Sequence, residues 1–210
     1  MRDRGTGRAV SATHEDYLKA VWNAQEWDPV PVSTTRLAQR LGVGAPTVSE
    51  TVRLLADRGL LAHEPYRGVR LTPAGRAVAV QVVRRHRLLE TWLVEHLGYG
   101  WDEVHDEAEV LEHAVSDRFV ERVDAVLGRP TEDPHGDPIP AADGSIDRPA
   151  AVRLADLPAG AGGVVVRVSD ADPDVLRECA AQGLRPGAAL RGSLTLSPRV
   201  RAAVWMAAEP

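Results

Sequence analysis

Between His105 and His113 the chain reads HDEAEVLEH, and this is where residue types and spacing first point to chemistry. Each residue of an α-helix turns the side-chain direction by about 100°, so His105, Glu109, Glu112 and His113 return to one face. Two imidazoles and two carboxylates sharing a face conflict unless something positive sits among them. A divalent cation removes the conflict, because imidazole nitrogen and carboxylate oxygen are both its ligands. Upstream, His86 and Glu90 stand four apart in RRHRLLETWL and also point the same way. Two helices carrying ligands imply a metal site built between them. A solvated acidic face is the other explanation, and the spacing alone leaves both open.

The chain that must position these residues has 210 of them, enough for two or three small domains with real cores. Its one cysteine, Cys179, excludes an intramolecular disulfide framework and a thiolate-rich zinc site. No apolar run is long enough to span a bilayer, and the start, MRDRGTGRAV, is charged and Gly-containing where a signal sequence would be apolar, so a cytoplasmic protein is expected. The net charge of −5 conceals an asymmetry. From Ser33 to Arg87 ten arginines face only Glu50, Asp57 and Glu64, a balance of +7. From Asp102 to Asp137 twelve acids face Arg118, Arg122 and Arg129, a balance of −9. One segment suits phosphate and the next suits cations.

In chain order, Thr13 to Trp27 reads as a helix with Thr13 and Asp16 placed as a capping box and Tyr17, Leu18, Val21 and Trp22 as its apolar stripe. Asp16 then has two possible roles, cap or ligand. Ser33 caps TTRLAQRL, Gly42 to Gly44 make a tight turn, and APTVSETVRLLADRG forms a second helix with Pro46 in its first turn. This is a helix-turn-helix. Leu37, Leu41, Val43, Val48, Val52 and Leu55 are its expected core, leaving Thr47, Ser49, Glu50 and Arg53 outward. GLLAHEPYRGVRLTPAG then alternates around a turn at Tyr66, Arg67 and Gly68, a hairpin that makes the module a winged helix reading double-stranded DNA.

From Thr72 a long helix reaches about His96, with Val78, Val82, Leu89, Trp92, Leu93 and Leu97 as a stripe broad enough to need partners, a second subunit among them. Two DNA half-sites call for a dimer. After the HDEAEVLEH helix, SDRFVERVDAVLG is amphipathic, and RPTEDPHGDPIPAADGSIDRPA reads as loop and linker. Beyond Ala151, short Val-rich runs separated by Gly and Pro, with one helix at PDVLRECAAQG, read as a small β-barrel. The expected fold is mainly α with small β. Residues 1–73 are a winged-helix domain, 74–140 a helical dimerisation and metal-binding domain, 141–150 a linker and 151–210 a barrel.

This arrangement resembles the diphtheria toxin repressor family of metal-activated transcriptional repressors, through EDYLKAV at Glu15, APTVSETV at Ala45, RRHRLLE at Arg84, HDEAEVLEHAVSD at His105 and HGDPIP at His135. The resemblance implies an SH3-like barrel at the C-terminus. It implies a primary metal site of Asp16, Glu109, Glu112 and His113, and an ancillary site of His86, Glu90 and His105. In longer members a carboxylate and an amide from the barrel complete the ancillary site; here SDADPDVLRE offers Asp172 or Asp174, with Asp172 preferred and Val175 in the amide's place. Iron-responsive members usually carry Met and Cys where Asp16 and Glu109 stand, whereas manganese-responsive ones carry carboxylates, as here. Lys19 replaces a Glu that in some manganese members helps bind a paired ion.

The expectation is therefore a homodimeric repressor of metal-transport genes activated by Mn2+, with Fe2+ the alternative ion, and with one or two dimers per operator and no membrane partner. Pro46, Thr47, Ser49, Glu50, Arg53, Tyr66 and Arg67 are its DNA-contacting residues. A hydrolytic metal enzyme would also need an open coordination position, a cleft and a further acid or base, none of which the pattern supplies. A winged-helix regulator indifferent to metal is the remaining alternative.

Overall fold

The computed structural model describes residues 10–64, 67–158, 160–190 and 195–207. They form two compact units, 1–83 and 84–210. None of the described helices is long and apolar enough to cross a membrane.

In the first unit α1 (Ala12–Glu26) is capped by Ser11, whose hydroxyl accepts from the His14 N–H at 3.4 Å. The cap thus falls two residues before Thr13, and Asp16 lies inside the helix, half-buried, with no capping task. Helix α2 (Thr34–Leu41) is capped by Ser33 and closes at Gly42, whose φ of 64° is the left-handed conformation that turns the chain. Helix α3 (Ala45–Asp57) follows with Pro46 in its first turn. Leu18, Val21, Trp22, Leu37, Val48, Val52 and Leu55 are buried, but Val43, expected in that core, is exposed in the turn.

Strands β1 (Leu61–Glu64) and β2 (Gly68–Leu71) pair antiparallel, Leu61 opposite Leu71. Val32 adds an isolated bridge to Val69 on the outer side of β2. This is the winged helix-turn-helix expected; Tyr66 at the tip lies outside the described residues. The Thr72 hydroxyl accepts from Gly75 N–H at 3.1 Å and starts α4 (Pro73–Leu97). Gly75 is obligatory there, because a Cβ would overlap the Leu60 carbonyl.

The second unit begins within α4. Helix α5 (Val104–Leu111) packs Val104 and Ala108 against Leu89 and Leu93 of α4, and α6 (Asp117–Val126) packs Val120 and Val123 against Leu88. Burial of this kind stabilises at about 25 cal/mol per Å² of apolar area, and it fixes the polar face of α5 beside that of α4. Glu112 terminates α5, so His113 lies just past the helix in a turn.

The segment read as loop and linker is partly core. Asp133, His135, Asp137 and Ile139 are all buried, and Val168 N–H donates to the His135 carbonyl at 2.9 Å. Beyond it, strands β3 (Ala151–Arg153), β4 (Gly163–Val168), β5 (Ala189–Leu190) and β6 (Val204–Ala207) form one antiparallel sheet in the order β3-β6-β4-β5. Helices α7 (Pro173–Ala181) and α8 (Pro198–Ala203) enclose its core with Val175, Cys179, Val200 and Met206. Among the described residues the sheet does not close into a barrel. Helix α8 takes in Arg201–Ala203, the start of a run expected as strand; Ser197 caps it and Pro198 opens it.

Candidate metal centre

Three elements bring ligating side chains together within the second unit. Helix α4 supplies His86 and Glu90 one turn apart, with His86 Nε2 3.0 Å from Glu90 Oε1. Helix α5 supplies His105, whose Nδ1 lies 3.2 Å from Glu90 Oε1 and 3.2 Å from His86 Nε2. The loop after β4 supplies Asp170, with Oδ2 3.2 Å from His105 Nδ1. The ligand atoms of His86, Glu90, His105 and Asp170 lie within 4.8 Å of one another. At the other end of α5, Glu112 Oε2 is 2.7 Å from His86 Nδ1, and Glu112 Oε1 is 3.3 Å from His113 Nε2. His86, Glu109 and Glu112 form a second set inside the same 4.8 Å limit.

The barrel carboxylate expected at Asp172 is placed differently. Asp172 Oδ1 accepts from the N–H groups of Asp174 and Val175 and so caps α7, while Oδ2 accepts from Arg199 at 2.7 Å. Asp174 pairs with Arg177, and Val175 is core. Asp170, two residues earlier, is the acid that meets His105. Asp16 belongs to α1 of the first unit.

Backbone anchors hold these side chains. Arg85 donates to the Glu112 carbonyl at 3.0 Å, Arg84 to the Pro140 carbonyl at 2.7 Å and Arg87 to the Pro138 carbonyl at 2.7 Å. Three of the ten arginines counted toward phosphate binding therefore brace the metal-binding unit. Charge follows the geometry. Burial alone would raise Glu90, but His86, His105 and His135 outweigh it and hold the carboxyl well below the usual range. Burial likewise disfavours the His105 charge, yet Asp170 and Glu90 push its pKa up to about 11. Burial, then Asp137 and Glu90, push Asp133 up to about 7.

Asp133, His135 and Asp170 received no role from the sequence. The first two lie in DPHGDPIP, where the density of Pro and Gly signalled a loop and masked three buried polar residues at alternate positions.

On the first unit, Pro46, Thr47, Ser49, Glu50 and Arg53 are exposed on α3, as is Arg67 beside the wing tip. Ser49 differs from its neighbours in that its hydroxyl donates to the Ala45 carbonyl at 2.9 Å.

A winged helix together with a unit of converging imidazoles and carboxylates is the make-up of a metal-dependent DNA-binding regulator. Comparison with known proteins makes this specific. Family models described as the iron dependent repressor N-terminal DNA binding domain, the iron dependent repressor metal binding and dimerisation domain, and the FeoA domain match residues 9–69, 72–141 and 152–191. The iron-dependent repressor IdeR of Mycobacterium tuberculosis is 40% identical over 161 residues, which is 73% of this chain and 70% of that protein. The diphtheria toxin repressor of Corynebacterium efficiens is 40% identical over 153 residues, 70% of this chain and 66% of that protein. A manganese-dependent transcriptional repressor solved in complex with manganese shares 48% identity with a TM-score of 0.88, covering 93% of this chain and 100% of its own. The manganese regulator SloR shares 32% with a TM-score of 0.78, covering 93% and 98%. The chain belongs to the iron-dependent repressor, or diphtheria toxin repressor, family of metal-dependent transcriptional repressors. Operator DNA and a second copy of the chain are the partners that this membership brings.

Proposed function

We propose that the protein is a manganese-activated repressor of metal-transport genes, working as a homodimer in the cytoplasm with two dimers on one operator. The observation that carries the choice of ion is the donor set. Among the described residues, the clustered side chains of the second unit offer imidazole nitrogen and carboxylate oxygen. The lone cysteine, Cys179, is buried in the C-terminal core, where burial and Glu178 push its thiol up to about 11, and Met206 is buried beside it. Oxygen-rich sets without sulfur suit manganese over softer ions.

In this proposal Asp16, Glu109, Glu112 and His113 hold the primary ion, with Asp16 and His113 assigned by the family resemblance. His86, Glu90, His105 and Asp170 hold the ancillary one. When bound, the metal supplies positive charge to carboxylates that otherwise repel. Drawing one ligand from α1 and the rest from α5 and the turn after it, the primary set links metal occupancy to the DNA-reading module, so that metal favours the dimer geometry competent for operator binding. Residues 1–73, 74–140 and 151–210, with a linker at 141–150, are the modules we assign to DNA reading, dimerisation with metal binding, and support of the ancillary site.

Iron is the second reading, favoured by the relatives named as iron-dependent repressors. Operator binding titrated anaerobically at buffered free Mn2+ or Fe2+ separates the two. We expect activation by manganese at concentrations where iron leaves the protein inactive. Equal activation by both would overturn the manganese assignment, and operator binding undiminished by chelator would overturn metal control itself.

A further inference from the structure

Among the described residues of the first unit, the chain leaving α1 is fastened to the wing at three points. Val32 and Val69 exchange backbone hydrogen bonds at 3.0 and 2.9 Å. Arg70 donates to the Pro29 carbonyl at 3.2 Å. The third fastening starts on the helix itself, where the side-chain amide of Gln25, in the last turn of α1, donates to the Val30 carbonyl at 3.0 Å and to the Val69 carbonyl at 3.2 Å. An amide nitrogen carries two N–H groups, and this one spends one on the exit loop and one on β2.

Of the three, Gln25 alone stands on a helix. Val32 and Arg70 tie the wing to a loop whose residues Asp28, Pro29 and Val30 are exposed, and such loops flex more readily than the elements they join. Gln25 ties it to a helix anchored by the buried Tyr17, Leu18, Val21 and Trp22. Asp16 stands earlier on that same helix, and at a rise of about 1.5 Å per residue the two side chains are rooted about 13 Å apart on one stiff element.

The wing end of the tether is equally confined. Val69 is fully buried, and Gly68 before it lies so close to the exit loop that a Cβ would come within 2.9 Å of the Val32 carbonyl. Arg67, one residue further toward the tip, is exposed and is the wing's expected phosphate contact. The amide is not needed to satisfy the backbone. The Val69 carbonyl also accepts from Val32, and the Val30 carbonyl lies in an exposed stretch where water can replace the amide. Its contribution is therefore to position more than to stability.

We propose that Gln25 is a positioning residue for operator binding, carrying the setting of α1, and with it the metal held at Asp16, to the wing and its Arg67 phosphate contact. This deepens the proposed function and rests on Asp16 being a ligand. An ion that fixes α1 through Asp16 fixes the Val69 carbonyl through Gln25, whereas without the amide the wing follows only the exit loop. Coupling between metal and operator is then weakened although both sites are intact.

Gln25→Met tests this in the full-length protein, because it keeps the side chain's length and helix propensity and removes both donors. Operator affinity is measured for parent and variant with chelator and at saturating buffered Mn2+, and Mn2+ affinity is titrated without DNA. The variant should bind Mn2+ within a few-fold of the parent, while its Mn2+-dependent gain in operator affinity falls about tenfold. A purely structural Gln25 would weaken operator binding equally in both metal states and leave that gain unchanged, a result that would overturn the proposal. Should the variant not fold, amide exchange in the parent decides. Mn2+ should slow exchange at Val32 and Val69, whose N–H groups close the bridge beside Gln25, and equal exchange in both metal states would overturn the proposal as well. A parent that gains no operator affinity from Mn2+ would remove the proposed function and this inference together, and it is recognised without touching Gln25.

Discussion

His86 Nδ1 lies 2.7 Å from Glu112 Oε2, and its other ring nitrogen lies 3.0 Å from Glu90 Oε1. The family resemblance places His86 in one ligand set and Glu112 in another, yet the single buried imidazole of His86 lies against both Glu112 and Glu90. Metal occupancy at the two sets should therefore be linked. Replacing His86 by Ala should weaken Mn2+ binding at both, each by upwards of about tenfold, whereas His105→Ala should weaken the ancillary set and leave the other within a few-fold. Isothermal titration resolves the two classes. A His86→Ala variant that loses only one class would refute the linkage.

Metal binding should also release protons. In the metal-free protein Asp170 and Glu90 outweigh burial and keep His105 charged well above its ordinary value of 6.5, up to about 11. That charge stabilises the fold fully below 6.5, and its contribution is lost as pH rises toward 11. An ion requires the bare nitrogen, so Mn2+ binding near neutrality must expel the proton. In a pH-stat, the parent should release about one more proton per chain than His105→Gln on saturation with Mn2+. Equal release would remove His105 from the ligand set.

Gly136 has a φ of 85°, and a Cβ there would overlap the Val166 carbonyl. The loop carrying Asp133 and His135 is thus pressed against β4 through a glycine with no substitute. Gly136→Ala should cost about 3 kcal/mol, from strain and overlap together. Chemical denaturation of the metal-free protein measures this, and a loss under about 1 kcal/mol would mean that the loop moves aside freely.

Much of this was legible from sequence where one local pattern decides a conformation. The helix-turn-helix rests on Ser33, Gly42 and Pro46 and forms where expected; the one-turn spacing of His105 and Glu109 on α5 leaves their side chains 3.6 Å apart. The misplacements are nonlocal. Of the two acids the resemblance offers, Asp172 and Asp174, neither meets His105: Arg199 pairs with Asp172 at 2.7 Å and Arg177 with Asp174, which nothing within the segment says. DPHGDPIP reads as loop because Pro and Gly mark irregular backbone, which is correct, and irregular backbone is usually exposed, which here it is not. Arg87 donates to its Pro138 carbonyl and Arg167 to its Asp137 carboxylate, partners that only the folded unit supplies.

The residues of α3 expected to meet DNA are exposed, and they make the last prediction. Glu50 is exposed there beside Thr47 and Arg53, whereas Ser49 spends its hydroxyl proton on the Ala45 carbonyl and can only accept. A carboxylate among groups that meet phosphate is unfavourable for affinity in general, so its value must lie in discrimination, as an acceptor from a cytosine amino group in the major groove. An amide keeps the acceptor but adds a donor and removes the charge. Glu50→Gln should therefore change the preferred base at one position of each half-site, by about 1–3 kcal/mol of discrimination, while binding to unrelated DNA strengthens slightly. Arg67→Ala near the wing tip should instead weaken all sequences alike and reduce the salt slope by about one. Competition binding against a library of single-base operator variants, repeated at two salt concentrations, distinguishes the outcomes. A uniform change across the library for Glu50→Gln would remove Glu50 from the base-reading set.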